Sequence, residues 1–354
     1  MSRTVGVGVG VIGLGFMGRT HLEAYAKARA AGFANRIVAV ADRDVARLRA
    51  DAQAGGNLAT TSGAPLFDAT TTHTYATPDE LLRDPDVELV SICTHTDTHV
   101  DLAIRALEAG KHVLVEKPLA LTAAAIRPLT EAARKAKTLC MPAHCMRFWP
   151  AWEWLKHRID DHSFGKVRSA VFQRLGSGPA WSREFYADDA KTGGALVDLH
   201  LHDTDFIRHC FGDPDEVIAT GSIHHVSTLY RYAKGPKHVL AEGGWDHSPG
   251  FPFRMRYVVV FEQATADFDL TRTPALMVAK DGRCEAVEMP DTNGYDGEVR
   301  HLLAAIATGT RELRVTVEDA ERTALVLERE RVGVGQYGMI TNERSRFPRQ
   351  VDSP

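Results

Sequence analysis

Apolar runs and helical periodicities alternate along roughly the first 140 residues of the chain. Runs such as RIVAVA and VELVSICT predict buried strands, whereas HVDLAIRALEAG and TAAAIRPLTEAARKAK have the spacing of amphipathic helices, the latter disturbed at Pro128. This alternation predicts an α/β fold with a doubly wound, parallel sheet. Ligands of such sheets bind beyond the carboxyl ends of the strands, so the segments that follow the strands are the first candidates for a site.

The pattern changes after residue 143. A tryptophan-rich helix in MRFWPAWEWLKHRI precedes strand-like stretches at KVRSAVFQRL, EVIATGSIHHVST, HVLAEGGWDH, FRMRYVVVFEQ and TADFDLTRT. Successive strands without intervening helices predict an antiparallel sheet. We therefore expect two domains, residues 1–143 and 144–354, the second ending in a packing helix within VEDAERTALVLERERVGVG.

Composition narrows the classes of partner. The 42 Lys and Arg nearly balance the 46 Asp and Glu, and without a long run of one sign this argues against nucleic-acid or membrane-surface binding. No apolar run is long enough to span a membrane. The five cysteines show no CxxC spacing, and no signal peptide is evident. These features predict a cytoplasmic protein whose partner is a small molecule.

The first strand leads into a glycine-rich turn. Two GxGxxG matches overlap here, and the first lies within the strand itself. The second, Gly13, Gly15 and Gly18, follows the strand and opens a helix, where glycine allows a tight turn and close approach of a pyrophosphate. The same loop places Phe16 and Met17 in the expected cofactor site.

The second strand ends in an acidic residue at the position expected for ribose binding. Asp42 lies 24 residues beyond Gly18, and a carboxylate there accepts hydrogen bonds from both adenine ribose hydroxyls and repels a 2′-phosphate. This favours NAD. Arg43 keeps NADP open, because a guanidinium beside the ribose can pair with a phosphate.

Further candidates follow the later strands. Thr94 to His99 and the Glu116-Lys117-Pro118 tripeptide lie at the same predicted edge of the sheet as the glycine turn. Lys117 comes directly after the buried run HVLVE and before a proline. A solvated surface role is therefore less expected for this lysine than a role beside the nicotinamide.

The stretch GGALVDLHLHDTDF concentrates acidic and imidazole side chains. If residues 195–211 form one helix, Asp198, His202, Asp205 and His209 share a face, because they are four, three and four residues apart. His200 falls outside that face. A zinc pair on a helix more naturally lies at i, i+4, and no cysteine is suitably spaced, so we predict no metal site.

Taken together, these motifs resemble the Gfo/Idh/MocA family of NAD(P)-dependent oxidoreductases. The resemblance rests on GVIGLGFMG, ADRD, SICT, ALEAGKHVLVEKPLA, RFWP and GGALVDLHLHDTD, which occur in the family's order, and GYDGEVRHLLAAIATG is similar to its late helix. It implies a Rossmann domain followed by an α/β domain with a large, mostly antiparallel open sheet. That sheet commonly forms the oligomer interface, so a homodimer or homotetramer is expected.

The resemblance also implies the chemistry. A secondary alcohol of a sugar, inositol or related polyol would transfer hydride to NAD, with His202 as acid and base, Lys117 stabilising the substrate oxygen and Asp198 orienting both. The expected cofactor contacts are Gly13, Gly15, Phe16, Met17, Gly18, Asp42, Arg43, Thr94, His99, Glu116 and Lys117. The expected substrate contacts are Lys117, Arg147, Trp181, Asp198, His202 and Asp205, with Arg183, Tyr186 and Tyr295 as further candidates.

Two departures from the family pattern stand out. Thr94-His95-Thr96 replaces the more usual Thr-Pro-Asn or Thr-Pro-x, and His200 occupies a position where glycine is common. Alternative functions also stay open: an NADP-dependent dihydrodiol or imine-type reductase, an enzyme that retains its cofactor through a cycle, or a non-catalytic NAD(P)-binding sugar sensor. Loss of the lysine or histidine would mark a sensor, and this chain has both.

Overall fold

The computed structural model describes residues 6–49, 66–179 and 183–344, which form two sheets covered by helices. The first sheet has six parallel strands in the order β3-β2-β1-β4-β5-β6. These strands are β1 (Val7–Ile12), β2 (Asn35–Ala41), β3 (His73–Tyr75), β4 (Leu89–Ile92), β5 (His112–Val115) and β6 (Cys140–Pro142). The predicted doubly wound, Rossmann-type sheet is confirmed.

Helices on both faces bury the central strands of this sheet. They are α1 (Phe16–Ala30), α2 (Pro78–Arg83), α3 (His99–Glu108) and α4 (Ala123–Lys135), and α4 continues through Pro128. Every residue of β4 is buried, as expected for an apolar run covered on both faces. The strand order reverses between β1 and β4, which opens a crevice at the carboxyl ends of the strands.

The second sheet has eight strands in the order β14-β13-β12-β11-β7-β10-β9-β8. The strands are β7 (Val167–Ser177), β8 (Glu216–Gly221), β9 (His225–Arg231), β10 (His238–His247), β11 (Arg254–Phe261), β12 (Thr265–Asp269), β13 (Leu276–Lys280) and β14 (Arg283–Ala286). β7 and β10 pair in parallel and the other described pairs are antiparallel. A mostly antiparallel sheet was predicted and is confirmed, and the stretch EVIATGSIHHVST contributes to two of its strands, β8 and β9.

Helices cover one face of the second sheet. The remaining helices are α5 (Pro150–Asp160), α6 (Arg183–Tyr186), α7 (Asp189–Thr192), α8 (Gly194–Asp198), α9 (Leu201–Phe211), α10 (Gly294–Thr308) and α11 (Val317–Arg344). Trp152 of α5 and Phe206 of α9 pack edge-on with Phe172 and Tyr257 of the sheet in one core. α10 packs on α1, and α11 contacts α4 as well as β8, so these late helices join the two sheets.

The predicted single helix over residues 195–211 is wrong: α8 ends at Asp198 and α9 begins at Leu201. At the break, the N–H groups of Leu199 and His200 both donate to the Ala195 carbonyl. The N–H of His202 donates to Leu199, so the Asp198 carbonyl is free for a side chain. The break therefore supplies an acceptor that a continuous helix would have used internally.

The helices of the structure can be compared with the prediction that no apolar run spans a membrane. Among the residues that the structure describes, no helix combines the length and the apolar character that crossing a membrane requires.

Candidate active site

A cavity of about 880 Å³ lies between the carboxyl edge of the first sheet and the inner face of the second. The segments that follow β1, β2, β4 and β5 line one side, and residues of β7, α8, α9 and β11 line the other. A volume of this size accommodates a dinucleotide's reactive end together with a small substrate. The carboxyl edge of the first sheet, which was predicted to bind the ligand, thus forms part of the wall of this cavity.

The glycine turn leaves room for a pyrophosphate. Gly18 cannot carry a side chain, because its Cβ would lie 1.8 Å from the Gly13 carbonyl oxygen, where the helix approaches the strand. Gly15 lines the cavity, and a Cβ added there would meet only the Arg47 guanidinium within 4 Å. Gly15 is also the N-cap of α1, and no side chain caps the helix there. The open cradle and the helix N-terminus fit an anionic pyrophosphate.

Asp42 directly follows β2, lines the cavity, and accepts hydrogen bonds from main-chain N–H groups. Its Oδ2 accepts the Leu14 N–H at 2.7 Å and its Oδ1 accepts the Asp44 N–H at 2.8 Å. Each oxygen keeps a further lone pair for a ribose hydroxyl. Arg43 and Arg47 also line the cavity, with Arg47 Nη1 4.0 Å from Asp42 Oδ2.

The segment after β4 forms the next part of the wall. Thr94 and His99 line the cavity, and the two nitrogens of buried His99 lie 3.0 Å from the Thr94 carbonyl and 2.8 Å from the Pro118 carbonyl. Burial lowers the pKa of His99, although both carbonyls favour its charged form. His95 stacks on Phe185 at 4.3 Å. His99 therefore holds the segments after β4 and β5 together, and the aromatic His95 takes the position of the usual proline.

Lys117 and Asp198 meet in the cavity although 81 residues separate them. Lys117 Nζ donates to the Asp198 carbonyl at 2.8 Å and lies 3.3 Å from Asp198 Oδ1. Both side chains are mostly buried yet line the cavity. The ammonium is thereby held in a fixed position, with a third proton left for a ligand oxygen.

His202 also lines the cavity, in the first turn of α9 directly after the break between α8 and α9. Burial, followed by the charges of Lys117, Arg174 and His144, lowers the pKa of His202 well below its ordinary value. Its Nδ1 is buried without a hydrogen-bond partner among the described residues. A neutral imidazole beside a fixed ammonium can take a proton from a ligand hydroxyl.

Arg174 was not among the predicted site residues. It lines the cavity from β7 and binds Asp203 of α9 through two bonds, at 3.0 Å from Nε and 2.9 Å from Nη2. Both side chains are buried. The alternation in KVRSAVFQRL places Arg174 on the same buried strand face as Ala170 and Phe172. A cation on a buried face requires a partner, so the sequence did carry a sign that Arg174 has a specific role.

Two of the expected substrate contacts lie elsewhere. Asp205 faces away from the cavity and receives Arg147 through two bonds of 2.7 and 2.8 Å, with Thr323 at 3.1 Å. Arg147 also reaches Asp319, and both Arg147 and Asp205 are buried. Burial alone would raise the pKa of Asp205, but Arg147 and His144 hold it well below the ordinary range. The expectation of substrate contacts here is corrected: the pair ties α9 to α11.

The other candidates divide in the same way. Tyr186 and Tyr295 line the cavity together with Trp149, Phe253 and Met255, and no particular sequence signal separated these last three from core residues. Trp181 lies outside the described residues, as does the side chain of Arg183. Tyr186 and Tyr295 remain candidates only because they line the cavity.

His200 points away from the cavity. Its Nε2 lies 3.2 Å from the Tyr230 hydroxyl and 3.4 Å from Glu330 Oε2, and the side chain is fully buried. Gly243 of β10 makes room for it, because a Cβ there would lie 2.7 Å from His200 Nδ1. His200 and His202 therefore do not form a pair of ligands on one site.

Two family models match the chain. Residues 7–144 match the oxidoreductase family model with the NAD-binding Rossmann fold, and residues 152–266 match the GFO/IDH/MocA C-terminal domain. The first sheet and strands β7 to β11 of the second thus lie within matched regions, and the first sheet belongs to an NAD-binding domain.

Curated relatives and solved structures agree with these matches. The chain is 25% identical over 327 residues to trans-1,2-dihydrobenzene-1,2-diol dehydrogenase of Xenopus laevis, covering 85% of this chain and 91% of that protein. It is 33% identical over 150 residues to myo-inositol 2-dehydrogenase of Thermotoga maritima, covering 42% and 44%. The fold resembles levoglucosan dehydrogenase in complex with NADH and levoglucosan, with a TM-score of 0.79 at 22% identity over 94% of this chain and 98% of that one.

Proposed function

Because the chain belongs to the GFO/IDH/MocA oxidoreductase family, we propose that it is an NAD-dependent dehydrogenase that oxidises a secondary alcohol of a sugar, inositol or related polyol. The main support for the proposal is that Lys117, Asp198 and His202 line the same cavity as the glycine turn and Asp42, with Lys117 bound to Asp198. The relatives named for inositol and dihydrodiol oxidation support the reaction class.

The proposed mechanism assigns one task to each side chain. Bound NAD supplies a hydride acceptor at the nicotinamide. Lys117 donates a hydrogen bond to the substrate oxygen and stabilises its developing negative charge. His202 takes the hydroxyl proton, since its neutral imidazole is ready to accept one at neutral pH. Asp198 holds the lysine through both its carbonyl and its carboxylate, so the ammonium needs little rearrangement to act.

A panel assay tests this function. Purified protein is incubated with NAD or NADP and a set of inositols, aldoses, uronates and related cyclic diols, while the absorbance of the reduced nicotinamide is followed. At least one secondary alcohol is expected to reduce NAD. Tight NADH binding with no oxidation across the panel would instead support a non-catalytic sensor.

A second candidate substrate is a diol on a cyclic hydrocarbon. The wall of the cavity that contains Lys117 includes the apolar side chains of Met146, Trp149, Phe253 and Met255. Such surfaces match an apolar ring as well as the less polar face of a sugar. The similarity to trans-1,2-dihydrobenzene-1,2-diol dehydrogenase points the same way. Faster turnover of trans-cyclohexane-1,2-diol than of any inositol would favour this candidate.

Asp42 is expected to set the preference for NAD. Asp42→Ala removes the charged acceptor for the ribose hydroxyls, so NADH binding should weaken by about 10- to 100-fold. NADPH binding should weaken much less, because Arg43 and Arg47 remain beside the same position. Fluorescence titration with both reduced cofactors measures the two constants.

Exposed Asp291 supplies the matched control for this change. Asp291→Ala should bind both cofactors as the wild type does, and melting temperatures should show that both variants are folded. An unchanged ratio of NADH to NADPH affinity in Asp42→Ala would remove Asp42 from the cofactor site.

An apolar row crosses the outward face of the second sheet. The strand register places Val258, Val171, Leu240, Leu229 and Ile218 opposite one another on five adjacent strands. Val171 and Ile218 are each 37% exposed. An apolar row in the centre of an open sheet fits burial against a second copy of the chain. We therefore propose that the chain forms a homodimer or homotetramer through this face.

Val171→Asp tests that interface. A carboxylate in the middle of the row would have to be buried without a partner, so dissociation should become at least about tenfold easier. Light scattering coupled to gel filtration should then show a lower mass than the wild type at micromolar concentration. Val332→Asp, which changes an exposed side chain of α11, should leave the mass unchanged. Equal masses for wild type and Val171→Asp would rule out this face.

A further inference from the structure

Three ionisable side chains lie together in the interior beside the cavity wall. They are His21 of α1, Glu116 at the end of β5 and Glu298 of α10, and one nitrogen or oxygen of each lies within 4.8 Å of the others. The side chains of His21 and Glu298 are fully buried and that of Glu116 is nearly so. A cluster of this kind must keep its net charge low, because the interior does not screen charge.

The hydrogen-bond donors near this cluster are already in use. The Tyr25 hydroxyl lies 2.8 Å from Ser91 Oγ, which lies 3.3 Å from His21 Nδ1. His21 Nε2 lies 2.9 Å from Glu116 Oε1. Every group is satisfied when the three hydrogen bonds point the same way along the chain: Tyr25 donates to Ser91, Ser91 donates to His21 Nδ1, and His21 donates from Nε2 to Glu116. A neutral imidazole suffices for this chain.

Glu298 lies outside the chain of donors. Neither of its oxygens has a hydrogen-bond partner among the described residues, and His21 Nε2, already donating to Glu116, is 3.7 Å from Glu298 Oε1. An ionised carboxylate in this position would be a buried charge with no donor and a second anion nearby. Burial, reinforced by the Glu116 carboxylate, correspondingly raises the pKa of Glu298 well above its ordinary value.

Glu116 is the contrasting member of the pair. Its Oε1 accepts from His21 and its Oε2 accepts the Lys117 N–H at 3.1 Å. Burial opposes its ionisation, but the hydrogen bond from His21 and the charge of Lys117 outweigh burial and lower the pKa of this carboxyl. The negative charge of the cluster is therefore on Glu116, whose carboxylate accepts the main-chain N–H of Lys117.

We propose that Glu298 is a positioning residue that keeps its proton in the folded protein, so that Glu116 is the single anion of the cluster and anchors the backbone of Lys117. This rests on the proposed function of Lys117. Ionisation of Glu298 would place two carboxylates against one imidazole, draw His21 away from Glu116 and loosen the segment from which Lys117 extends.

Other titratable groups face Glu298 from each packed element, and none supplies a buried cation between the two carboxyls in the described residues. They are His21 and Tyr25 of α1, Cys93 after β4, Glu116 after β5, Cys145 before α5, and Tyr295 of α10. Burial is the main cause that raises the pKa of Cys93, Cys145, Tyr25 and Tyr295, so these thiols and phenols add no negative charge beside Glu298 at neutral pH.

Glu298→Gln is the test, because a carboxamide resembles the protonated carboxyl and cannot ionise. A raised pKa in the folded state means that proton binding stabilises the folded protein below the pKa of the unfolded chain, and that this contribution is lost as pH rises through the folded value. As pH rises above about 4.3, the ordinary value for Glu, the melting temperature of the wild type should therefore fall by at least about 2–4 °C more than that of Glu298→Gln. Exposed Glu108→Gln should follow the wild type.

A second readout links the proton to Lys117. The kcat of alcohol oxidation should fall at alkaline pH in the wild type and fall less in Glu298→Gln, whereas a merely structural role would leave the two profiles parallel. Difference infrared spectra should show the carbonyl band of a protonated carboxyl in the wild type at neutral pH and not in Glu298→Gln. The melting and infrared measurements need no substrate, so they test Glu298 even if no alcohol is oxidised.

Two results would overturn the proposal. One is the same dependence of melting temperature on pH in wild type and Glu298→Gln. The other is a stoichiometric metal ion in the wild type, measured by elemental analysis, that is absent from Glu298→Gln, since the three side chains would then be ligands rather than a proton-sharing cluster.

Discussion

Replacing Lys117 with methionine is expected to lower kcat by about 10²- to 10³-fold while NADH binding stays within a few-fold of the wild type. Methionine preserves the length and apolar stem of lysine, so the cavity wall keeps its shape. What is lost is the ammonium that Asp198 fixes through its carbonyl at 2.8 Å and its carboxylate at 3.3 Å. Without this donor, the negative charge that develops on the substrate oxygen is not stabilised.

Lys137 offers a matched control on the exposed surface. Lys137→Met should retain wild-type kcat, and fluorescence titration with NADH should show that Lys117→Met still binds cofactor. A Lys117→Met variant that loses cofactor binding and turnover in equal measure would assign Lys117 to cofactor binding instead of catalysis.

Replacing His202 with asparagine is expected to lower the rate of alcohol oxidation by about 10²- to 10⁴-fold. The imidazole is the group proposed to take the substrate proton, and asparagine can form hydrogen bonds but cannot accept a proton at working pH. Steady-state rates with NAD measure the effect. His157→Asn, which changes an exposed histidine of α5, should retain activity.

The pH dependence of the wild type gives a second check on His202. Burial and the nearby charges of Lys117, Arg174 and His144 hold the pKa of His202 well below its ordinary value. The base is therefore neutral and competent at neutral pH, and kcat/KM for oxidation should stay level as pH falls through about 6.5, the usual imidazole value. A decline centred at about 6.5 that is also present in His202→Asn would assign that titration to another group.

The sequence was most informative where a residue's position follows from strand topology. Parallel strands end at one edge, so the glycine turn, Asp42, Thr94 and Lys117 could be placed together before any contact was known, and the structure puts all of them on one cavity. The pairing of Lys117 with Asp198 came from the family resemblance, because no local pattern relates residues 81 positions apart.

The sequence was least informative where one side chain decides the outcome. Helical spacing placed Asp205 on the same face as His202, and both lie in α9, but the hydrogen bonds from Arg147 and Thr323 hold Asp205 in the core. No breaker residue in the sequence marks the break between α8 and α9, where the N–H groups of Leu199 and His200 converge on the Ala195 carbonyl. Arg174 was detectable only as a charge in an inward register, and its partner Asp203 could not be read from the strand.

The most direct test of the proposed site is a single-turnover measurement with the alcohol that the panel assay finds most reactive. Enzyme saturated with NAD is mixed rapidly with that alcohol, and formation of reduced nicotinamide is followed for the wild type, Lys117→Met and Lys137→Met. If Lys117 acts on the substrate oxygen, the rate constant falls by about 10²- to 10³-fold in Lys117→Met alone, with the cofactor still bound. A Lys117→Met rate constant within about threefold of the wild type would contradict the assignment of this cavity as a catalytic site built on Lys117, Asp198 and His202.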